Sequence, residues 1–120
     1  MYDHIGLKVK DIAASARFYE AVLGALGHVK HSQDASGASF GPKGAPALWL
    51  YLEKGKAGPG IHVAFTAKDH AAVDRLYKEG VKAGGRDNGK PGLRADYSPT
   101  YYAAFLIDPD GNNVEAVCMS

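Results

Sequence analysis
The sequence predicts an α+β fold in which two βαβββ modules, joined in one chain of 120 residues, curve a sheet around a cleft. Three observations carry that expectation. A strand-like segment opening on histidine occurs twice, as His4-Ile5-Gly6-Leu7-Lys8-Val9-Lys10-Asp11 and as His62-Val63-Ala64-Phe65-Thr66-Ala67-Lys68-Asp69. Each copy ends on an Asp suited to capping a helix, because its carboxylate accepts the free N–H groups of the first turn. Each is followed by a helical pattern and then by short strand-like runs broken at Gly and Pro. Strand, cap, helix and turn agree in the same order, which separates a duplication from a chance match of eight residues.

The elements follow in order. Ile12, Ser15, Ala16, Tyr19, Val22, Leu23 and Leu26 recur at steps of three and four and stop at Gly27, which predicts the first helix. Val73, Leu76, Tyr77 and Val81 predict the second, ending near Gly84-Gly85. Strands are expected around 27–32, 38–41 and 47–53 in the first module, and near 85–88, 101–107 and 113–118 in the second. The turns before the two last strands also correspond, Gly41-Pro42-Lys43-Gly44 with Asp108-Pro109-Asp110-Gly111. Module 1 is expected over residues 1–54, a Gly/Lys/Pro linker over 55–59 and module 2 over 60–120, all one domain over 1–120. The stretch 88–100, rich in Gly, Pro and charge, reads as a loop over the cleft.

Composition narrows the partners. Fourteen basic and thirteen acidic residues nearly balance, and no basic stripe interleaved with aromatics points to nucleic acid. No apolar run approaches the ~20 residues of a membrane span, and the N-terminus lacks the basic and apolar regions of a leader. Cys118, the single cysteine, excludes an internal disulfide and a thiolate cluster and fits a cytoplasmic location.

Strand alternation assigns the faces. Ile5, Leu7 and Val9, and likewise Ile61, Val63 and Phe65, belong under the helices, so His4 and His62 point to the opposite surface beside small residues. On the last strand Val114, Ala116 and Cys118 share the apolar face, and Glu115 points the other way. A strongly bent sheet gathers His4, His62 and Glu115 into one concavity. Two imidazoles and a carboxylate make a facial triad that leaves coordination positions open, and such a metal acts as a Lewis acid on a substrate oxygen. The plainer alternative makes each histidine a hydrogen-bonded surface residue and Glu115 a solvated edge-strand charge. The matched positions of the two histidines favour ligands.

These residues resemble the vicinal oxygen chelate superfamily, the glyoxalase, bleomycin-resistance and extradiol-dioxygenase group. The resemblance spans nearly the whole chain. It rests on the two His strands, on Phe18-Tyr19 before Leu23-Gly24, and above all on Phe105-Leu106-Ile107-Asp108-Pro109-Asp110-Gly111-Asn112-Asn113-Val114-Glu115-Ala116. It implies that His4, His62 and Glu115 bind a divalent metal (Mn, Fe, Ni, Zn or Co) that chelates adjacent oxygens of a small-molecule substrate. It also implies a homodimer in which His4 of one subunit joins His62 and Glu115 of the other.

Within the group the match is uneven. Glyoxalase I enzymes add a Glu on the last strand of the first module, where this chain has Leu48-Trp49-Leu50. Three ligands resemble instead the extradiol dioxygenases or the fosfomycin-modifying thiol transferases. The latter carry a Tyr where Phe105 stands and an Arg just past the last strand, where this chain has Met119-Ser120. The expectation is a metal-dependent lyase, thiol transferase or dioxygenase rather than a glyoxalase I. The alternative is a metal-free binding protein of the bleomycin-resistance type.

Arg94, Tyr97 and Tyr101 are the catalytic candidates, on or just after the long loop. Arg94 is suited to receive a carboxylate, and a Tyr to donate a hydrogen bond or exchange a proton. The alternative makes Arg94 a solvated charge, and Tyr101 and Tyr102 strand residues at the cavity edge. Trp49 reads as a pocket wall or, more simply, a core aromatic. His28, His31 and His70 read as surface residues, and Cys118 as a buried small hydrophobe.

Overall fold
The structure is a computed structural model that describes residues 1–53 and 60–120, so the expected linker at 55–59 lies outside the described residues. The duplication is present as two sheets of identical topology. In the first, β1 (Ile5–Val9) pairs in parallel with β4 (Leu48–Leu52), which pairs antiparallel with β3 (Gly37–Gly41) and through it with β2 (Val29–Asp34). In the second, β5 (His62–Thr66) pairs in parallel with β8 (Asn113–Cys118), followed by β7 (Tyr102–Ile107) and β6 (Arg86–Leu93). The orders β1-β4-β3-β2 and β5-β8-β7-β6 correspond element for element.

The helices start where the sequence places their caps. Asp11 accepts the Ala14 N–H at 3.1 Å ahead of α1 (Ile12–Ala25), and Asp69 accepts the Ala72 N–H at 2.8 Å ahead of α2 (His70–Lys82). Gly27 and Gly84 follow the two helices with positive φ, 91° and 103°, a conformation that glycine adopts without a Cβ clash. Leu7, Val9, Leu48, Leu50, Val63, Val114, Ala116 and Cys118 turn inward and join the helices in one buried core.

The expected loop at 88–100 is a correction. β6 runs on through Leu93, and the loop proper begins only at Arg94. The ladder tolerates Gly89, Pro91 and Gly92 because β6 is an edge strand and its register slips between Asp87 and Gly89 and again between Gly89 and Gly92. Residues in the bulges need no ladder hydrogen bond, so a proline without N–H fits there.

The modules meet through their helices rather than through their sheets. Gly80 of α2 lies against α1 so closely that a Cβ there would stand 2.7 Å from Val22 Cγ1, and closer still to Leu106 Cδ1 of β7. A second tie is polar. In the turn between β7 and β8, buried Asp108 accepts the N–H groups of Asp110 and Asn112, each at 2.8 Å, and the Asn112 Nδ2–H at 3.0 Å. Its remaining capacity takes the Tyr19 hydroxyl of α1 at 2.5 Å. Asp110 accepts the Lys10 N–H and the Ser15 hydroxyl, both at 3.0 Å. The Asp-Pro-Asp-Gly segment is therefore more than a turn: its two carboxylates fasten module 2 to the first helix of module 1. Among the described residues no helix is long and apolar enough to cross a membrane.

Candidate metal and ligand site
Strand register relates the three expected ligands to one another. Ile5 pairs with Leu48 and Gly6 with Trp49, while Val63 pairs with Val114 and Ala64 with Glu115. His4 and His62 thus hold equivalent positions, although the β1 ladder begins at Ile5 and His4 just precedes it. By the same register Trp49 is the counterpart of Glu115. It faces the open side of its sheet, between the inward Leu48 and Leu50, so the core-aromatic alternative for Trp49 gives way.

His62 and Glu115 meet. His62 Nδ1 donates to the carbonyl oxygen of Asn113 at 3.2 Å, which turns Nε2 toward Glu115 Oε1 at 2.9 Å. Glu115 is only 2% exposed, because β8 lies between β5 and β7 and His62 and Tyr101 close on its two carboxylate oxygens. The solvated edge-strand alternative for Glu115 is thereby corrected. Its second oxygen, Oε2, accepts a short hydrogen bond from the Tyr101 hydroxyl. That bond, then burial, then the carboxylate's charge, push the Tyr101 phenol up to about 12. Phe105, paired with Glu115 across the β7–β8 ladder, stacks on His62 with centroids 6.3 Å apart.

Arg94 and Tyr101 form the base of the loop between β6 and β7. The Arg94 N–H donates to the Tyr101 carbonyl at 2.7 Å, and the Arg94 carbonyl accepts the Tyr97 N–H at 2.9 Å. The Tyr97 ring stands edge-on to Tyr101, 5.0 Å between centroids. The Arg94 guanidinium lies over Phe105, 5.4 Å from its centroid. Of the three loop candidates Tyr101 touches Glu115, Tyr97 packs on Tyr101, and Arg94 packs on Phe105.

His4 does not join them. It is exposed, and its Nδ1 donates to Asp3 Oδ1 at 2.7 Å, leaving Nε2 without a partner among the described residues. Among those residues no three His, Cys, Asp or Glu side chains converge as a metal site. His62 and Glu115 by themselves suit two neighbouring positions on a divalent ion. Ligands bonded at about 2.0–2.2 Å and set near a right angle lie about 3 Å apart, close to the 2.9 Å seen here. In both histidines Nδ1 is engaged by an oxygen, the support that fixes ring orientation in metal-ligating histidines. Two of the three expected ligands thus stand on module 2 at a spacing that suits a metal, and the third stands apart on module 1.

Two side chains with clear structural roles, Asp108 and Asp110, were not candidates from sequence. Their acid–Pro–acid–Gly spacing marks a turn but says nothing about what the turn binds. His31 and His70 are exposed and Cys118 is buried, as expected, while His28 is half-buried.

The family model of the Glyoxalase/Bleomycin resistance protein/Dioxygenase superfamily matches residues 2–116. Among solved structures, a glyoxalase/bleomycin resistance protein from Albidiferax ferrireducens T118 is similar at 27% identity and a TM-score of 0.82, covering 98% of this chain and 97% of that one. A glyoxalase-related enzyme from Fulvimarina pelagi shares the fold at 23% identity and a TM-score of 0.75, over 98% and 86% of the two chains. A glyoxalase/bleomycin resistance protein/dioxygenase family enzyme from Burkholderia phytofirmans PsJN does so at 18% identity and 0.76, over 98% of each. Among curated proteins none matches significantly.

Proposed function
Because the chain belongs to the Glyoxalase/Bleomycin resistance protein/Dioxygenase superfamily, we propose that it is a cytoplasmic, divalent-metal-dependent enzyme acting on a small oxygenated molecule, with a site completed between two copies. The observation that carries this reading is the split of the ligand set. His62 and Glu115 are paired on the open face of module 2, while His4 stands at the equivalent point of module 1 with its Nε2 unengaged among the described residues. A C2 homodimer gives each His62–Glu115 pair the His4 of the other subunit.

The bound ion would be Mn, Fe, Ni, Zn or Co, and it supplies a Lewis acid that polarises a chelated substrate oxygen. The chain's own residues do the rest. The Asn113 carbonyl orients the His62 ring through Nδ1. Tyr101 occupies Glu115 Oε2, so the carboxylate offers Oε1 alone. Phe105 walls the site beside His62. The Tyr101 hydroxyl donates to Glu115 and so fixes the orientation of the carboxylate. With Trp49 in the position equivalent to Glu115, the protein offers three ligands rather than four. That favours a lyase, thiol transferase or dioxygenase over a glyoxalase I.

A second reading is a metal-free binding protein. Trp49 and Tyr51 favour it, since they give the open face of module 1 an aromatic lining; Tyr51 lies so close over Gly6 that a Cβ there would meet its Cε2 at 2.8 Å. Metal analysis of protein purified without chelator and supplied with each of the five metals separates the two. The enzyme reading expects stoichiometric metal in wild type and its loss in His62→Ala, Glu115→Gln and His4→Ala. A wild type that holds none of the metals leaves the binding protein.

A further inference from the structure
We propose that the ligand of this site carries a carboxylate of its own, apart from any oxygens that meet a metal, and that Arg94 receives it. The inference rests on reading the open face of module 2 as the ligand site.

The guanidinium sits in a built position. Its Nη2 donates to the Lys90 carbonyl at 2.6 Å, and its Cζ lies over the Phe105 ring. The edge strand makes room for it with glycine: a Cβ at Gly89 would stand 3.2 Å from Nη2, and a Cβ at Gly92 would stand 3.2 Å from Nη1. The Gly-rich stretch that reads as loop from sequence is thus a bulged strand hollowed out beneath an arginine. An arginine has five N–H donors, and one backbone carbonyl leaves most of them unused. No carboxylate pairs with Arg94 among the described residues, whose ion pairs lie elsewhere.

The free donors border a cleft of about 300 Å³, lined by Asn88, Gly89, Arg94, Tyr97, Phe105 and Asn113. Phe105 is the wall this cleft shares with His62 and Glu115. Asn88 Nδ2 donates to Asn113 Oδ1 at 3.2 Å, which leaves the Asn113 amide hydrogens for a ligand. The chemistry selects the anion. A planar fork matches a carboxylate with two parallel hydrogen bonds. The other lining side chains are neutral amides, a phenol and a phenyl ring, so one positive charge faces the cleft. A doubly charged phosphoryl group would need a second cation that these residues do not supply.

The test uses succinate as probe and succinamide as its uncharged counterpart, titrated into the full-length protein by calorimetry. Each titration is run on metal-loaded protein and on protein stripped of metal and dialysed. Wild type is expected to bind succinate at least about ten-fold more tightly than succinamide, with or without metal. Arg94→Gln is expected to lose that preference while keeping wild-type metal content, and Arg94→Lys to keep only part of it, having charge without the fork. Equal affinity for the two probes, no detectable succinate binding, or an unchanged preference in Arg94→Gln overturns the proposal. A wild type that takes up no metal yet prefers succinate supports it and overturns the metal reading alone. A wild type that takes up metal but treats the probes alike does the reverse.

Discussion

Tyr101 donates its hydroxyl hydrogen to Glu115 Oε2, the carboxylate oxygen that His62 does not approach. Each oxygen of a carboxylate that is almost wholly buried therefore has one partner of its own, on opposite sides. Removing the phenolic hydroxyl leaves a buried acceptor unsatisfied, at about 1–3 kcal/mol. It also frees Glu115 to rotate. Tyr101→Phe is expected to melt lower than wild type and to lose about 10–100-fold in metal affinity, the usual effect of losing a group that orients a ligand. Calorimetric titration with Mn or Zn measures it. Unchanged affinity would mean that Tyr101 only packs.

The split ligand set predicts complementation. His4→Ala and Glu115→Gln each break every site of their own homodimer. In a mixed dimer the intact His4 of one chain faces the intact His62 and Glu115 of the other, so one of its two sites is whole. Equal mixing with free exchange is expected to restore about a quarter of wild-type metal occupancy, since half the dimers are mixed under C2 symmetry. Mass spectrometry of intact dimers reads this directly. If mixing restores nothing, the three ligands do not span two chains.

The Tyr19–Asp108 bond predicts how stability depends on pH. Burial first, then Asp108, raise the Tyr19 pKa well above 10.0. A group with a raised folded pKa stabilises fully below its unfolded value and loses that contribution as pH rises through the folded one. Thermal stability is expected to fall on the alkaline side, above about pH 10. Tyr19→Phe should be less stable at neutral pH by about 1.5–3 kcal/mol, the range for hydrogen bonds to charged groups, and its alkaline decline should be shallower. Melting curves from pH 7 to the alkaline limit show whether the two proteins converge.

Two helical glycines make opposite predictions. Replacing a helix-interior glycine with alanine normally stabilises by up to about 1 kcal/mol. At Gly24 of α1 an added methyl would meet nothing within 4 Å, so Gly24→Ala should raise the melting temperature. At Gly80 the added methyl would push into Val22 and Leu106, both fully buried. Overpacking costs about 1–3 kcal/mol, which outweighs the helical gain, so Gly80→Ala should lower it. Denaturant titration of both variants tests whether the helix pair, not only each helix, carries the fold.

Features set by local pattern were legible in the sequence. Asp11 and Asp69 cap the helices because a carboxylate ahead of a helical run has one obvious use, and alternation placed Glu115 opposite Ala116. The partners of those side chains were not legible. Asp108 reaches Tyr19 and Glu115 reaches Tyr101 only after the modules pack and the β6–β7 loop folds back. Equivalence in a repeat also differs from proximity: His4 and His62 hold matching positions yet do not share a cluster within the chain. The loop expected at 88–100 failed for a related reason. Gly and Pro suggest a break in structure, but at an edge strand they mark bulges, and here the glycines clear a bed for Arg94.

Trp49 and Glu115 share one coordinate of the repeat and have opposed chemistries. Two identical modules would surround a ligand with a pseudo-dyad and could not tell its two ends apart. An indole on one wall and a carboxylate on the other break that symmetry without disturbing the backbone. Under the proposed pairing of subunits, a molecule reaching both walls has a single orientation, with its oxygen-bearing end toward Glu115 and its carbon skeleton toward Trp49. The duplicated frame thereby becomes a directional one, with an aromatic end and an acidic end.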